Sequence, residues 1–248
     1  YNQLEIIKYA IENNKYVGNY ACSEAAYNGN LDLLQRMREL GCPWNENVCS
    51  YAARAGHLHV IKWAREHGCP WNENLCAEAA YNNHFEILKY ARANGCPWNE
   101  DTCAGAAVSG DLEMLKWARK NGCPWDKNTC EWAVYTGNFE ILKWARENGC
   151  PWDELTCAYA ATKGHFEMLK WARENGCPWN SMTCNASITS GNFEILKWVH
   201  ANGCPLDQTT IGVAGKYGHF EMLKWVHTKT GVHWIMACVL KQQKIIRK

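Results

Sequence analysis

The chain has 248 residues, 26 basic and 25 acidic side chains, and a formal net charge of +1. That balance gives no sign of a nucleic-acid or acidic-membrane partner, and no apolar run approaches the ~18 residues needed to span a bilayer. Fifteen cysteines and fourteen tryptophans are unusual counts. The cysteine number is odd and each holds a fixed place in a helical pattern, so reduced thiols in a cytosolic protein are the better reading than a secreted disulfide framework.

In chain order, the first predicted element is an apolar helix near Leu4, followed by Lys15-Tyr16-Val17. A repeat then takes over. Gly-Cys falls at Gly41-Cys42, Gly68-Cys69, Gly95-Cys96, Gly122-Cys123, Gly149-Cys150, Gly176-Cys177 and Gly203-Cys204, a constant spacing of 27 (68 − 41, 95 − 68 and onward). A second cysteine follows seven residues later at Cys49, Cys76, Cys103, Cys130, Cys157 and Cys184. The phase extends back to Cys22 and forward to Cys238, with Ile211 as the exception. A period of about 20 to 50 residues marks a solenoid or array rather than one closed core.

One unit, residues 122–148, shows the local logic. Asp126 stands where a helix starts, and Asn45, Asn72, Asn99, Asp153, Asn180 and Asp207 hold the same place. Asn and Asp suit that position because a side-chain oxygen accepts from a free backbone N–H. The pattern predicts a first helix over 127–135, broken by Gly137, and a second over 139–148, capped by Asn138 and stopped by Gly149 and Pro151. Second helices are predicted likewise at 58–67, 85–94, 112–121, 166–175 and 193–202. Cys130, Ala133 and Val134 form one narrow face of small residues that lets neighbouring helices approach. Phe139, Ile141, Leu142, Trp144 and Ala145 should be buried on the second helix, leaving Lys143, Arg146 and Glu147 as a solvated strip.

Neither helix can bury its apolar surface alone, so the units must stack. The expected fold is all-α: a helix-turn-helix repeat solenoid of about nine units, forming one elongated domain over 1–248 that starts and ends inside a repeat. The last unit should run through Cys238 to a polar cap at Lys241-Gln242-Gln243-Lys244, with Ile245 and Ile246 opening a further second helix.

These residues resemble ankyrin repeats. Gly-His-Phe-Glu-Met-Leu-Lys-Trp-Ala-Arg-Glu-Asn-Gly at 164–176 looks like the second ankyrin helix, and Thr-Cys-Ala-Tyr-Ala-Ala at 156–161 is similar to the first. Cys-Pro-Trp-Asn or Cys-Pro-Trp-Asp stands where that family has Ala-Asp-Val-Asn. An ankyrin unit has about 33 residues, so about six are missing here. They fall where the family has its projecting β-hairpin. The short, Cys- and Trp-rich unit is similar to a subclass found in giant viruses of amoebae and some protists. The resemblance implies a protein-interaction scaffold whose groove is formed by the first helices.

The remaining chemistry is weighed residue by residue. Zinc sites usually pair Cys-x2-4-Cys, which is absent, so the cysteines read as core packing with no metal, no cofactor and no disulfide ladder. His57, His84, His165 and His219 alternate with Asn30, Asp111, Asn138 and Asn192 at one repeat position, which reads as capping of the second helix. Two tryptophan ladders, one after Pro and one after Lys, read as packing between repeats. No Walker loop, His-Glu-x-x-His or Gly-x-Ser-x-Gly occurs, and no enzyme is expected.

The informative variation lies on the first helices, two and five residues after each helix cysteine, opposite the buried face. The candidate partner-binding residues are Tyr51, Arg54, Glu78, Tyr81, Trp132, Tyr135 and Tyr159, expected as one continuous exposed patch. The expected function is a non-enzymatic scaffold that binds another protein there, as a cytoplasmic monomer of the cell or of an infected host cell, with no membrane or small-molecule substrate. The alternative is a single-stranded nucleic-acid reader, as other helix-pair repeats are.

Overall fold

The computed structural model describes residues 20–230. The expected helix near Leu4, the Lys15-Tyr16-Val17 segment, Cys238 and the terminal stretch with Lys241 to Lys244, Ile245 and Ile246 lie outside the described residues.

Among the described residues the regular structure is entirely α-helical. In the first unit, up to Thr129, the helices are α1 (Tyr20–Tyr27), α2 (Leu31–Glu39), α3 (Asn47–Arg54), α4 (Leu58–Glu66), α5 (Glu73–Tyr81), α6 (Phe85–Ala93), α7 (Glu100–Ser109) and α8 (Leu112–Lys120). Helix α9 (Lys127–Tyr135) contains the division between Thr129 and Cys130. The second unit continues with α10 (Phe139–Glu147), α11 (Glu154–Lys163), α12 (Phe166–Glu174), α13 (Ser181–Thr189), α14 (Phe193–Ala201), α15 (Gln208–Tyr217) and α16 (Phe220–Thr230). Odd-numbered helices are the first of each pair and even-numbered helices the second. Within each unit, consecutive first helices on either side of α9 pack on one another, and α1, α3, α5, α7, α11, α13 and α15 each pack on their own second helix. The second helices start where the periodicity predicts and end one residue sooner.

The turns follow from backbone chemistry. Gly149 adopts φ 84°, a left-handed conformation that glycine takes without a Cβ penalty. This lets Cys150 N–H bond back to Ala145 O at 2.9 Å, closing the helix end. Cys150 is then carried into the core, and Pro151 prevents continuation. Across the turn Trp152 leads directly into Asp153, whose extended backbone lets its side chain accept from Leu155 N–H at 2.9 Å. No residues are left over for a hairpin.

The narrow core face is as small as the spacing requires: Cys130, Ala133 and Val134 are fully buried. On the second helix Ile141, Leu142 and Ala145 are buried, but Phe139 and Trp144 are only half-buried. The expectation that Phe139 and Trp144 are buried with the other three on this helix therefore needs correction. The large rings lie along its rim, where Phe139 meets Trp171 of the next repeat edge-on at 5.8 Å. Arg146 is also not simply solvated. Its Nη1 donates to Cys150 O, and its guanidinium lies 3.9 Å from the Trp152 ring centroid. The same clamp over the Gly-Cys turn is built by Arg38 on Trp44, Arg65 on Trp71, Arg92 on Trp98, Arg119 on Trp125 and Arg173 on Trp179.

The histidines also depart from expectation. Asn30, Asp111 and Asn192 cap their helices, accepting from Leu33, Met114 and Ile195 N–H, whereas Asn138 makes no side-chain cap and its Nδ2 donates to Thr136 Oγ1 at 2.8 Å. His57, His84 and His165 make no side-chain cap. Their rings lie against the turn glycine of the preceding repeat instead, where a Cβ on Gly29, Gly56 or Gly137 would meet imidazole atoms at 2.6, 2.8 and 3.2 Å. An imidazole is too long to fold back on its own helix start, but it spans the gap to the next turn.

Candidate functional site

The first helix of each pair positions the candidate residues. In the second unit, Cys130 points into the core and so fixes Trp132 and Tyr135 on the outer side of α9. Both are exposed, at 38 % and 39 %. Their rings stand edge-to-face, 5.4 Å apart. Tyr135 in turn meets Tyr159 of α11 at 5.7 Å and 89°. Tyr159 is half-buried. Lys163, at the end of α11, places its ammonium 3.6 Å from the Tyr135 centroid, within cation–π range. The structure thus brings three candidate aromatics into one cluster and adds a cation that the candidate set did not include. Lys163 lies six residues after Cys157, so its outward position was available from the spacing; its reach to a ring on the neighbouring helix was not.

In the first unit, Tyr51 meets Tyr27 edge-on at 6.5 Å, which adds a second residue absent from the candidate set. Arg54 Nε lies 3.9 Å from Glu78 Oε2 on the next first helix. Both side chains retain much solvent access, so the pair contributes little to stability. Tyr81 is half-buried. Its hydroxyl is pushed above the ordinary tyrosine range by burial, then by the charges of Asp101, Glu78 and Asp126. Asp126 is likewise pushed up, first by burial and further by Glu100 and Asp101. These shifts mark this end of the first unit as acidic.

One position of the outer series differs from its spacing. Gly105, two residues after Cys103, is buried rather than exposed. A Cβ there would stand 2.8 Å from Tyr81 N, because α7 approaches α5 too closely for any side chain.

The described cysteines are free and buried. They meet in pairs twenty residues apart, not seven. Cys184 Sγ lies 3.2 Å from Cys204 Sγ, and Cys76 with Cys96, Cys130 with Cys150 and Cys157 with Cys177 are likewise in thiol–thiol contact. The second thiol of a pair also donates to the carbonyl of its own repeat's helix-capping residue, as Cys177 does to Asp153 O at 3.3 Å. Burial raises the Cys22 thiol to about 11. Among the described residues no group of three or more His, Cys, Asp or Glu could hold a metal ion, and no helix is long and apolar enough to cross a membrane.

Paired helices stacked on a strict repeat, with small residues between first helices and glycine-closed turns, define a helical-repeat solenoid. Residues 130–171 match the family model described as ankyrin repeats (many copies). The fold is similar to that of the human ASB11 ankyrin repeat domain, with a TM-score of 0.50 and 18% sequence identity over 64% of this chain and 85% of that one. A search of the curated proteins finds no match.

Proposed function

We propose that the chain is a non-enzymatic scaffold that binds a partner protein through the outer face of its first helices. The observation that carries this reading is the Trp132, Tyr135 and Tyr159 cluster with Lys163 over it. Large aromatic side chains at the surface of a repeat scaffold are the residue types that dominate binding energy at protein interfaces. Their rings hold one another in place, so little side-chain freedom is lost on binding. In the first unit, Tyr81 sits with Glu78, Asp101 and Asp126, an environment that suits a partner segment carrying cationic side chains. The same carboxylates repel a phosphate backbone, which favours a protein partner over single-stranded nucleic acid. The free cysteines among the described residues suit a reducing compartment such as the cytoplasm.

The test is affinity capture with the intact chain, followed by mass spectrometry, and repeated with Trp132→Ala/Tyr159→Ala. A partner lost with the double variant supports the reading. Capture unaffected by the double variant, by Tyr51→Ala/Tyr81→Ala and by both sets together would move the site to the second helices or the turns.

A further inference from the structure

The Arg–Trp clamp over the Gly-Cys turn fails at one described place. In the unit that ends at Cys204, His200 stands where the other units have arginine and Leu206 where they have tryptophan. The His200 ring packs edge-on against Trp225 at 5.3 Å. The backbone bonds of the turn persist, with Gly203 N to His200 O at 3.0 Å and Cys204 N to Val199 O at 2.9 Å. What is lost is the charge-assisted bond from the guanidinium to the cysteine carbonyl and the indole stacked over it. For comparison, Arg173 donates to Cys177 O at 3.2 Å and lies 4.3 Å from the Trp179 ring.

Beneath this unclamped turn, Cys184 Sγ donates to Cys204 Sγ at 3.2 Å, and Cys204 Sγ donates to Asn180 O at 3.1 Å. Both cysteines are essentially inaccessible in the closed turn. A disulfide requires the sulfurs to close to about 2.05 Å, a shift of roughly 1 Å. We propose that Cys184 and Cys204 form a dithiol site for reversible oxidation by a hydroperoxide, selected from the other thiol pairs by the missing Arg–Trp clamp. Opening of the Gly203-Cys204 turn admits the peroxide without lifting a guanidinium from its carbonyl.

The chemistry balances with two thiols and one peroxide. Cys204 gives up its proton, and its thiolate attacks a peroxide oxygen. The O–O bond breaks, and the departing hydroxide of hydrogen peroxide, or the alkoxide of an alkyl hydroperoxide, takes up that proton as water or alcohol, leaving a sulfenic acid. Cys184 sulfur then attacks Cys204 sulfur, the S–O bond breaks, and the hydroxide of the sulfenic acid leaves with the Cys184 proton. Two electrons pass from the thiols to the peroxide. Cys184 Sγ donates to Cys204 Sγ at 3.2 Å, and a hydrogen bond received by sulfur stabilises the thiolate, which assigns the first attack to Cys204.

The experiment treats the reduced, full chain with hydrogen peroxide, blocks free thiols at timed intervals and quantifies disulfide-linked peptides by mass spectrometry. The Cys184–Cys204 bond should form roughly tenfold faster than Cys157–Cys177, the factor expected when one charge-assisted hydrogen bond is absent from local opening. His200→Arg/Leu206→Trp should slow it to the Cys157–Cys177 rate. If that variant does not fold, the reverse exchange decides: Arg173→His/Trp179→Leu should speed Cys157–Cys177. Equal rates in the unaltered chain, no disulfide at Cys184–Cys204, or rates indifferent to the clamp substitutions would overturn the proposal.

Discussion

The imidazole of His84 occupies the space that a side chain on Gly56 would need: a Cβ on Gly56 would lie 2.8 Å from His84 Cε1. Gly56 also has φ +86°. Two constraints therefore meet at one residue, and a neighbouring repeat shows them relaxed together. At the equivalent turn Asn83 takes φ 61°, and the residue 28 positions on is the shorter Asp111 (83 + 28 = 111, as 56 + 28 = 84). The prediction is a double-mutant cycle. Gly56→Ala should cost about 1–2 kcal/mol from the backbone alone, plus the clash. His84→Asp should recover the clash part and leave the backbone part. Denaturant midpoints of the four proteins measure this, and simple additivity would refute the coupling.

Trp144 tests where the stacking energy resides. Full burial of a tryptophan would put Trp144→Ala at ~3–5 kcal/mol. Because the ring is half-exposed on the rim, the expected loss is smaller, about 1–2 kcal/mol. Leu142→Ala, in the fully buried row, should cost about 2–5 kcal/mol. Equilibrium urea unfolding of both variants checks the order, and a larger loss at Trp144 would return the ring to the core.

Two capping carboxylates should respond to acid in opposite directions. Asp207 accepts from Ser181, Thr209 and Thr210, which hold its pKa at about 2, below the ~3.9 of an unfolded aspartate. Its contribution is full above the unfolded value and is lost as pH falls from about 4 towards 2. Asp207→Ala should cost about 1 kcal/mol at neutral pH, and less as the solution is acidified. Asp126 is raised, so it binds its proton more tightly folded than unfolded; its contribution is full below the ~3.9 of an unfolded aspartate and is lost as pH rises above that value. Asp126→Asn should keep the cap, as Asn99 does in the preceding unit, and leave neutral-pH stability equal or higher. Melting curves between pH 3 and 7, values chosen to bracket the carboxylate range, separate the two. A loss of stability in Asp126→Asn at neutral pH would count against the assigned repulsion.

The aromatic cluster should be separable from folding. Trp132→Ala/Tyr159→Ala removes rings that lie outside the buried Cys130, Ala133 and Val134 face, so the far-ultraviolet circular dichroism should be unchanged and the stability loss modest, about 1–2 kcal/mol. A variant that unfolds would make these rings part of the core and remove them from the candidate surface.

Much of this architecture is legible in the chain itself. Helix starts, helix ends and the all-α class follow from short-range rules: Asn or Asp before each first helix, glycine at each left-handed turn, and cysteine with two small residues on one face. Those rules act within a few residues, so a repeated sequence states them repeatedly. The outward placement of Trp132, Tyr135 and Lys163 follows from the same geometry, because the buried cysteine fixes the rotation of its helix.

What the tertiary structure decided depends on distances between repeats, which spacing along one helix cannot supply. Histidine and asparagine look interchangeable in sequence, yet Asn192 caps its own helix while His84 reaches across to Gly56. Cys130 is nearer in sequence to Cys123 than to Cys150, but the chain folds back so that Cys150 is the thiol it meets. Arg146 reads as solvated from its place on α10, yet the turn brings Cys150 O and the Trp152 ring to it. Each of these contacts is made only after the chain has turned once and the helices lie side by side. Sequence therefore determined which residues could be buried, and the packing of successive turns determined what each one touches.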